Sequence, residues 1–191
     1  MATVHFITHP DVLIDPAVPV PRWPLSPRGR ARMQAALARP WIAGVAAVHC
    51  STEQKAIDGA AILAEARGLA FTLHADLGEN DRSATGFLPP PEFEATADAF
   101  FANPNISIRG WERAVDAQAR VVGAVSRLLA APPTGDLAIV AHGAVGALLL
   151  CALLGEPISR VRDQPPGKGG FRFAFDAASR SVQHGWQPIE E

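Results

Sequence analysis

The 191-residue chain has no tyrosine, only two cysteines and two methionines, and no strong excess of either charge. Its formal charge is −2 at neutral pH and its pI is near 6.3. That balance gives no reason to expect nucleic acid or an anionic membrane surface as a partner. The longest apolar stretch, 144–154, is broken by Gly146 and falls short of the roughly 20 residues a spanning helix needs. The start of the chain lacks the basic-then-apolar pattern of an export signal. Cys50 and Cys151 lie in apolar surroundings without CxxC or zinc-finger spacing, so buried thiols are expected rather than a disulfide. The missing tyrosine, beside abundant alanine and arginine, reflects genome composition and says nothing about function. These absences point to a soluble cytoplasmic protein. The hydrophobic fraction of 48% supports a sizeable core, and the length predicts one domain over 1–191.

What is present begins with Val4-His5-Phe6-Ile7-Thr8-His9-Pro10. An apolar run with β-branched residues reads as a buried strand, and Pro10, which has no N–H for a ladder, must end it. His9 is thereby placed at the carboxyl end of a central strand, where open α/β sheets bind ligands. Leu137-Ala138-Ile139-Val140-Ala141 repeats the design and ends in His142-Gly143. A third buried strand, 45–50, ends in Ser51-Thr52, with Glu53-Gln54-Lys55 opening the helix that follows.

Between these strands the periodicity predicts helices. Ser26-Pro27 is an N-cap with proline at the first helical position, and that helix runs to about residue 39 with Ala31, Ala35, Leu37 and Ala38 inward. The next covers about 53–67, with Ile57, Ala60, Ala61 and Ala64 on one face and Gly68 as its C′ residue. A short strand follows at 71–74, a polar, proline-rich lid loop at 76–91, and a helix at 91–103. A long amphipathic helix at 111–130 turns Val115, Ala119, Val122 and Val125 inward, and Pro132-Pro133 stops it. After the helix at 144–154 and a loop at 156–170, two alternating segments, 171–175 and 181–186, form an antiparallel pair. The fold class is α/β: a three-layer α/β/α sandwich, mostly parallel, with antiparallel strands at the C-terminal end.

Each chemical candidate carries a plain alternative. A lone histidine such as His9 is more often a core or capping residue. His142-Gly143 opens a helix whose free N–H groups and dipole favour an anion, while Gly143 also suits a tight strand-to-helix turn. Lys55 in a helical first turn opposes the dipole and is expected to point into a site, where it pairs with a bound anion; the alternative is a solvated lysine. Glu79, in the lid loop beside Arg82, is a candidate general acid or an exposed carboxylate.

The ordered motifs resemble the histidine phosphatase superfamily, the phosphoglycerate mutase-like fold. Thr8-His9-Pro10 stands where the family has Arg-His-Gly. Pro24-Leu25-Ser26-Pro27-Arg28-Gly29 matches its stretch before the first helix, and Ser51-Thr52-Glu53-Gln54-Lys55-Ala56 its Ser-x-x-x-Arg-Ala segment. Leu77-Gly78-Glu79 and Ile139-Val140-Ala141-His142-Gly143 complete the set. The resemblance implies a phosphomonoester hydrolase in which His9 accepts the phosphoryl group, His142 stabilises it in transfer, and Glu79 protonates the leaving oxygen. Thr8, Lys55, Ser51, Gly143 and Arg28 would bind the substrate's phosphate. The scheme needs no metal and no cofactor, and its partner is a small phosphorylated substrate or phosphate; the sequence does not speak to oligomeric state. The departures are Thr8 and Lys55 for two arginines, Pro10 for glycine, and Asp11 as an added negative charge. Compensating cations could come from Arg22, Arg28, Arg82, Arg109 or Arg172, with Lys168 over the pocket. Two other readings follow: a member that binds a phosphorylated ligand or partner without turnover, and, as a minor one, a metallohydrolase built on His5, His9, Asp11 and His142. Thr8 is expected at the pocket rim, where Thr8→Arg would raise activity.

Overall fold

Val4, Phe6 and Ile7 have no exposed surface in β1 (Thr3–Thr8), and the alternation of a strand sends Phe6 and Ile7 into opposite layers. The computed structural model describes residues 2–167 and 169–191. Its other strands are β2 (Val45–Cys50), β3 (Phe71–Leu73), β4 (Asp136–Ala141), β5 (Phe171–Asp176) and β6 (Val182–Pro188). They form one sheet in the order β3-β2-β4-β1-β5-β6. The first four strands in that order run parallel, β5 pairs antiparallel with β1, and β6 antiparallel with β5.

Five α-helices cover the sheet: α1 (Pro27–Ala36), α2 (Gln54–Arg67), α3 (Pro90–Ala102), α4 (Ala114–Leu128) and α5 (Gly143–Leu154). Ile7, Val48 and Val140 face α1 and α2 in one apolar cluster with Met33, Ala60 and Leu63. Phe6, Ile139, Phe173 and Phe175 face α4 and α5 in a second, with Val121, Val125 and Leu149. Helix α3 packs outside the second layer, joining Phe100 and Phe101 to Trp111, Ala147 and Leu148. The architecture is the expected three-layer mixed sandwich.

Local signals in the sequence act as the physics requires. Ser26 Oγ accepts the Gly29 N–H at 3.0 Å with Pro27 in the first turn of α1. Gly68 ends α2 in the left-handed region at φ 66°. The inner faces of two helices differ from expectation. In α1 the buried residues are Gly29, Met33 and Ala36, whereas Ala31, Ala35 and Ala38 are exposed and Leu37 lies beyond the helix end. In α4 the buried stripe is Ala114, Ala117, Val121, Ala124 and Val125; Ala119 is exposed, and Val115 and Val122 sit at the margins. Alanine lets α4 approach the apolar α5 closely, so the smallest side chains mark the interface and bulk misleads.

Candidate active site

The carboxyl ends of β1, β2 and β4 meet at one place. His9 follows β1, and its N–H continues the ladder to Ala141 O at 3.1 Å. His142 follows β4 as the residue capping α5, and Ser51 follows β2. The rings of His9 and His142 face edge-on with centroids 5.3 Å apart. His9 Nδ1 lies 2.9 Å from Pro10 O. A carbonyl can only accept, so Nδ1 carries the proton and Nε2 keeps its lone pair. Proline in place of glycine therefore leaves the tautomer lock intact. Burial, then the Lys55 ammonium, lower the His9 pKa to about 4, so the ring is neutral at neutral pH. Burial also holds His142 well below its ordinary range.

Ser51 Oγ is 2.7 Å from His142 Nε2 and fixes that ring from beneath the site. Lys55 is buried rather than solvated but does not line the cavity: Nζ donates to Val20 O at 2.9 Å and meets Glu53 Oε2 at 2.5 Å. The latter partner was not anticipated. The Glu53 carboxylate also stands 3.4 Å from His142 Nε2 and accepts the Glu79 N–H at 3.0 Å. Burial alone would raise its pKa, yet the Lys55 ammonium against Oε2 holds the carboxyl below the usual carboxylate range. Glu53 begins α2 without capping it with its side chain, and this is the one local hint that its carboxylate serves elsewhere.

Glu79 sits on the open end of α5. It accepts the N–H groups of Ala144 (3.2 Å) and Val145 (3.1 Å), and pairs with Arg82 at 3.3 Å. Two of the helix donors expected to greet a substrate anion are thus already used by the protein itself. Of the candidate arginines, Arg82 lines the cavity, its guanidinium over the rings of Phe93 (5.1 Å) and Trp111 (5.4 Å). Among the other candidates, Arg28 is 70% exposed and faces Asp11, Arg109 pairs with Glu92 on the surface, Arg22 is exposed, and Arg172 lies under Trp41. Asp11 turns its charge toward Arg28 (3.7 Å) and Arg32 (3.5 Å) and does not line the cavity. Lys168 lies outside the described residues.

A cavity of about 640 Å³ opens onto His9, Glu79, Arg82 and Gly143, with Phe93 and Trp111 along one wall and residues 163–167 along another. Asn80, 3% exposed, also lines it, and its Nδ2 has no partner among the described residues. A buried amide donor left open is a ready contact for a ligand oxygen. The 76–91 segment is a fastened wall rather than a free lid. Arg120 holds the carbonyls of Asp76, Gly78 and Glu79, and Trp111 Nε1 donates to Thr85 Oγ1 at 2.8 Å.

Thr8 is 1% exposed and lies below the cavity instead of at its rim. Its hydroxyl donates to Gln164 Oε1 at 2.6 Å and accepts the Phe171 N–H at 3.0 Å. Gln164 in turn lies against Gly143, where an added Cβ would stand 2.5 Å from its Nε2. A side chain at 143 would therefore displace the Gln164 amide, so close approach as well as turn geometry suits glycine there. Gly169 behaves likewise, at φ 71° with a Cβ position 2.1 Å from His9 O. Sequence reasoning missed Gln164, Asn80 and Glu53, since each matters only through neighbours distant in the chain. Among the described residues no three His, Cys, Asp or Glu side chains are grouped so as to hold a metal ion, and no helix is long and apolar enough to cross a membrane.

Comparison with known proteins agrees with this fold. No curated protein sequence matches the chain. Among solved structures, YhfR of Bacillus stearothermophilus superposes with a TM-score of 0.80 at 21% identity, covering 97% of this chain and 95% of that one. A mycobacterial glucosyl-3-phosphoglycerate phosphatase in complex with inorganic phosphate gives 0.78 at 21% identity, covering 100% of both. A putative alpha-ribazole-5'-P phosphatase from Escherichia coli gives 0.77 at 17% identity, covering 99% and 98%. The model of the histidine phosphatase superfamily, branch 1, matches residues 20–171, and with most of its length matched the chain belongs to that superfamily.

Proposed function

We propose that the chain is a phosphomonoester hydrolase that works through a phosphohistidine on His9. The observation that carries this reading is the pair of rings at adjacent strand ends, with His9 Nδ1 on the Pro10 carbonyl and its Nε2 lone pair left for attack. In the first step Nε2 bonds to phosphorus as the bond to the leaving alcohol breaks. Glu79, in its acid form, delivers a proton to the departing oxygen. In the second step water attacks the phosphohistidine, gives its proton to Glu79, and frees phosphate and His9. Lys55 and Arg82 supply positive charge to the phosphoryl oxygens and the neutral His142 a hydrogen-bond donor, the main source of rate in such transfers. Ser51 positions His142, and Thr8 acts at one remove, through Gln164 beside Gly143. The substrate is a small phosphorylated molecule that fits the cavity.

A second reading is favoured by two observations. Thr8 is committed to Gln164, and Lys55 is already paired with Glu53. Both weaken the phosphate clamp, as in a protein that binds a phosphorylated ligand without turnover. The experiment that decides is trapping. Protein mixed with a labelled generic phosphomonoester and quenched in base should carry an acid-labile, base-stable label on His9, absent from His9→Ala. Saturable phosphate binding with neither label nor turnover would leave the binding role.

A further inference from the structure

Glu53 stands behind the cavity lining, against His142 and Lys55, and is a residue that a phosphoryl site does not call for. Its side chain is 12% exposed, and its two oxygens already hold Lys55 Nζ at 2.5 Å and His142 Nε2 at 3.4 Å. A phosphoryl group that touches either of those groups therefore also meets a carboxylate. Two anions sharing one set of donors repel unless a proton lies between them. Glu53 is an acceptor with no proton of its own, because the Lys55 ammonium paired with it favours its ionised form. The proton must then come from the ligand.

We propose that Glu53 selects the protonation state of the ligand: the pocket takes a phosphoryl group carrying a P–OH, which donates its hydrogen bond to the Glu53 carboxylate. The ligand class is a singly protonated phosphate or phosphate monoester. Sulfate, which has the same shape but no proton to give at neutral pH, is rejected. The inference rests on the reading of this pocket as a phosphoryl site. A site built to bond a ligand hydroxyl discriminates steeply against an analogue that lacks it, since its own polar group is then left facing a like charge. The charged and titratable groups around Glu53 are Lys55 on α2, His142 at the start of α5, His9 after β1, and Glu79 and Arg82 on the wall after β3. Of these, His9 and His142 are neutral from pH 6 to 8, and protonation of either by a bound anion would act equally on sulfate.

Calorimetric titration of the full chain with sodium phosphate and with sodium sulfate, at pH 6 and pH 8 and fixed ionic strength, tests this. The wild type should prefer phosphate by about 100-fold or more at pH 6. Its phosphate affinity should fall as the ion loses its proton, approaching tenfold per pH unit above the second phosphate pKa. Glu53→Gln, which can donate as well as accept, should bring the two ions within about tenfold and remove the pH slope. Wild type that binds sulfate as well as phosphate, that binds neither ion, or that shares its pH slope with Glu53→Gln would overturn the proposal. The wild-type comparison stands even if the variant fails to fold. A labelled His9 without ion discrimination would sink this inference and leave the hydrolase reading in place; discrimination without a labelled His9 would do the reverse.

Discussion

His5 and His9 stand four residues apart on the same segment, and burial drives both imidazoles down to about 4. Their surroundings otherwise differ. His9 lies past the end of β1, its Nδ1 held by a carbonyl and its ring open to the cavity. His5 lies inside β1, 5% exposed, between Trp41 at 5.1 Å and Asp136 at 3.8 Å, and neither ring nitrogen has a hydrogen-bond partner. A depressed pKa therefore does not distinguish a nucleophile from a structural residue, because desolvation acts alike on both. What separates them is the strand end. There the ladder stops, a backbone carbonyl is free to fix a tautomer, and neighbouring strands bring a second histidine alongside.

The sharpest way to break this comparison is to remove each ring. His9→Ala should lower turnover of a phosphomonoester by about four decades or more, the scale seen when a nucleophile is deleted. His5→Phe should leave turnover within about threefold, since an aromatic of similar size keeps the packing under Trp41. Initial rates at matched folded fraction check both. Comparable losses in the two variants would mean that the strand end is not what sets His9 apart.

The strand-end logic was open to reading from the chain alone, and so was most of the sheet. Val45–Cys50 coincides with its predicted span, and the proline, serine and glycine signals at Pro10, Ser26 and Gly68 act locally, as such signals do. The inner face of α1 was not legible, because an alanine-rich helix carries little contrast between faces; in the amphipathic α4 the buried stripe runs through Ala114, Ala117, Val121 and Ala124, one position off the row of Val115 and Val122. Lys55 was legible through its unfavourable place in a first turn. Glu53 was not, because its role depends on an amide from the β3 wall and a ring from the end of β4. Thr8 was read as a weakened phosphate contact, yet its hydroxyl belongs to a partner more than 150 residues away in the chain, at |i−j| of 156.

That partner turns the expectation for Thr8→Arg around. An arginine at this fully enclosed position must displace Gln164, abandon the Phe171 N–H and bury a guanidinium without a carboxylate beside it. The cost is about 2–4 kcal/mol of stability, with no gain in activity. Urea denaturation would read the cost. Thr8→Val, nearly the same shape without the hydroxyl, should lose about 1–2 kcal/mol and shift KM more than kcat if Gln164 orients the ligand. A Thr8→Arg protein that is both stable and faster would show that the cavity floor can open and that the family-like clamp can be rebuilt there.

The smallest effect at neutral pH is the most informative about His5. Its folded-state pKa lies below the value near 6.5 of an unfolded chain, with burial first and the Arg172 guanidinium second as causes. Above pH 6.5 the ring is neutral in both states and its contribution to stability is fully present. As pH falls from 6.5 toward 4, the unfolded chain takes up a proton that the folded protein refuses, and stability drops by up to about 1.4 kcal/mol per pH unit for this group. His5→Phe removes that proton. It also removes two buried nitrogens that have no partners, so the variant should be about as stable as wild type at pH 7.5, or slightly more stable. By pH 4.5 it should be more stable by about 2 kcal/mol, from the same linkage. His9 and His142 titrate in the same direction and remain in both proteins, so the difference between the two denaturation series isolates His5. Parallel series would mean that the ring finds a partner for its proton in the folded state, with Asp136, the nearest carboxylate, as the group to test next.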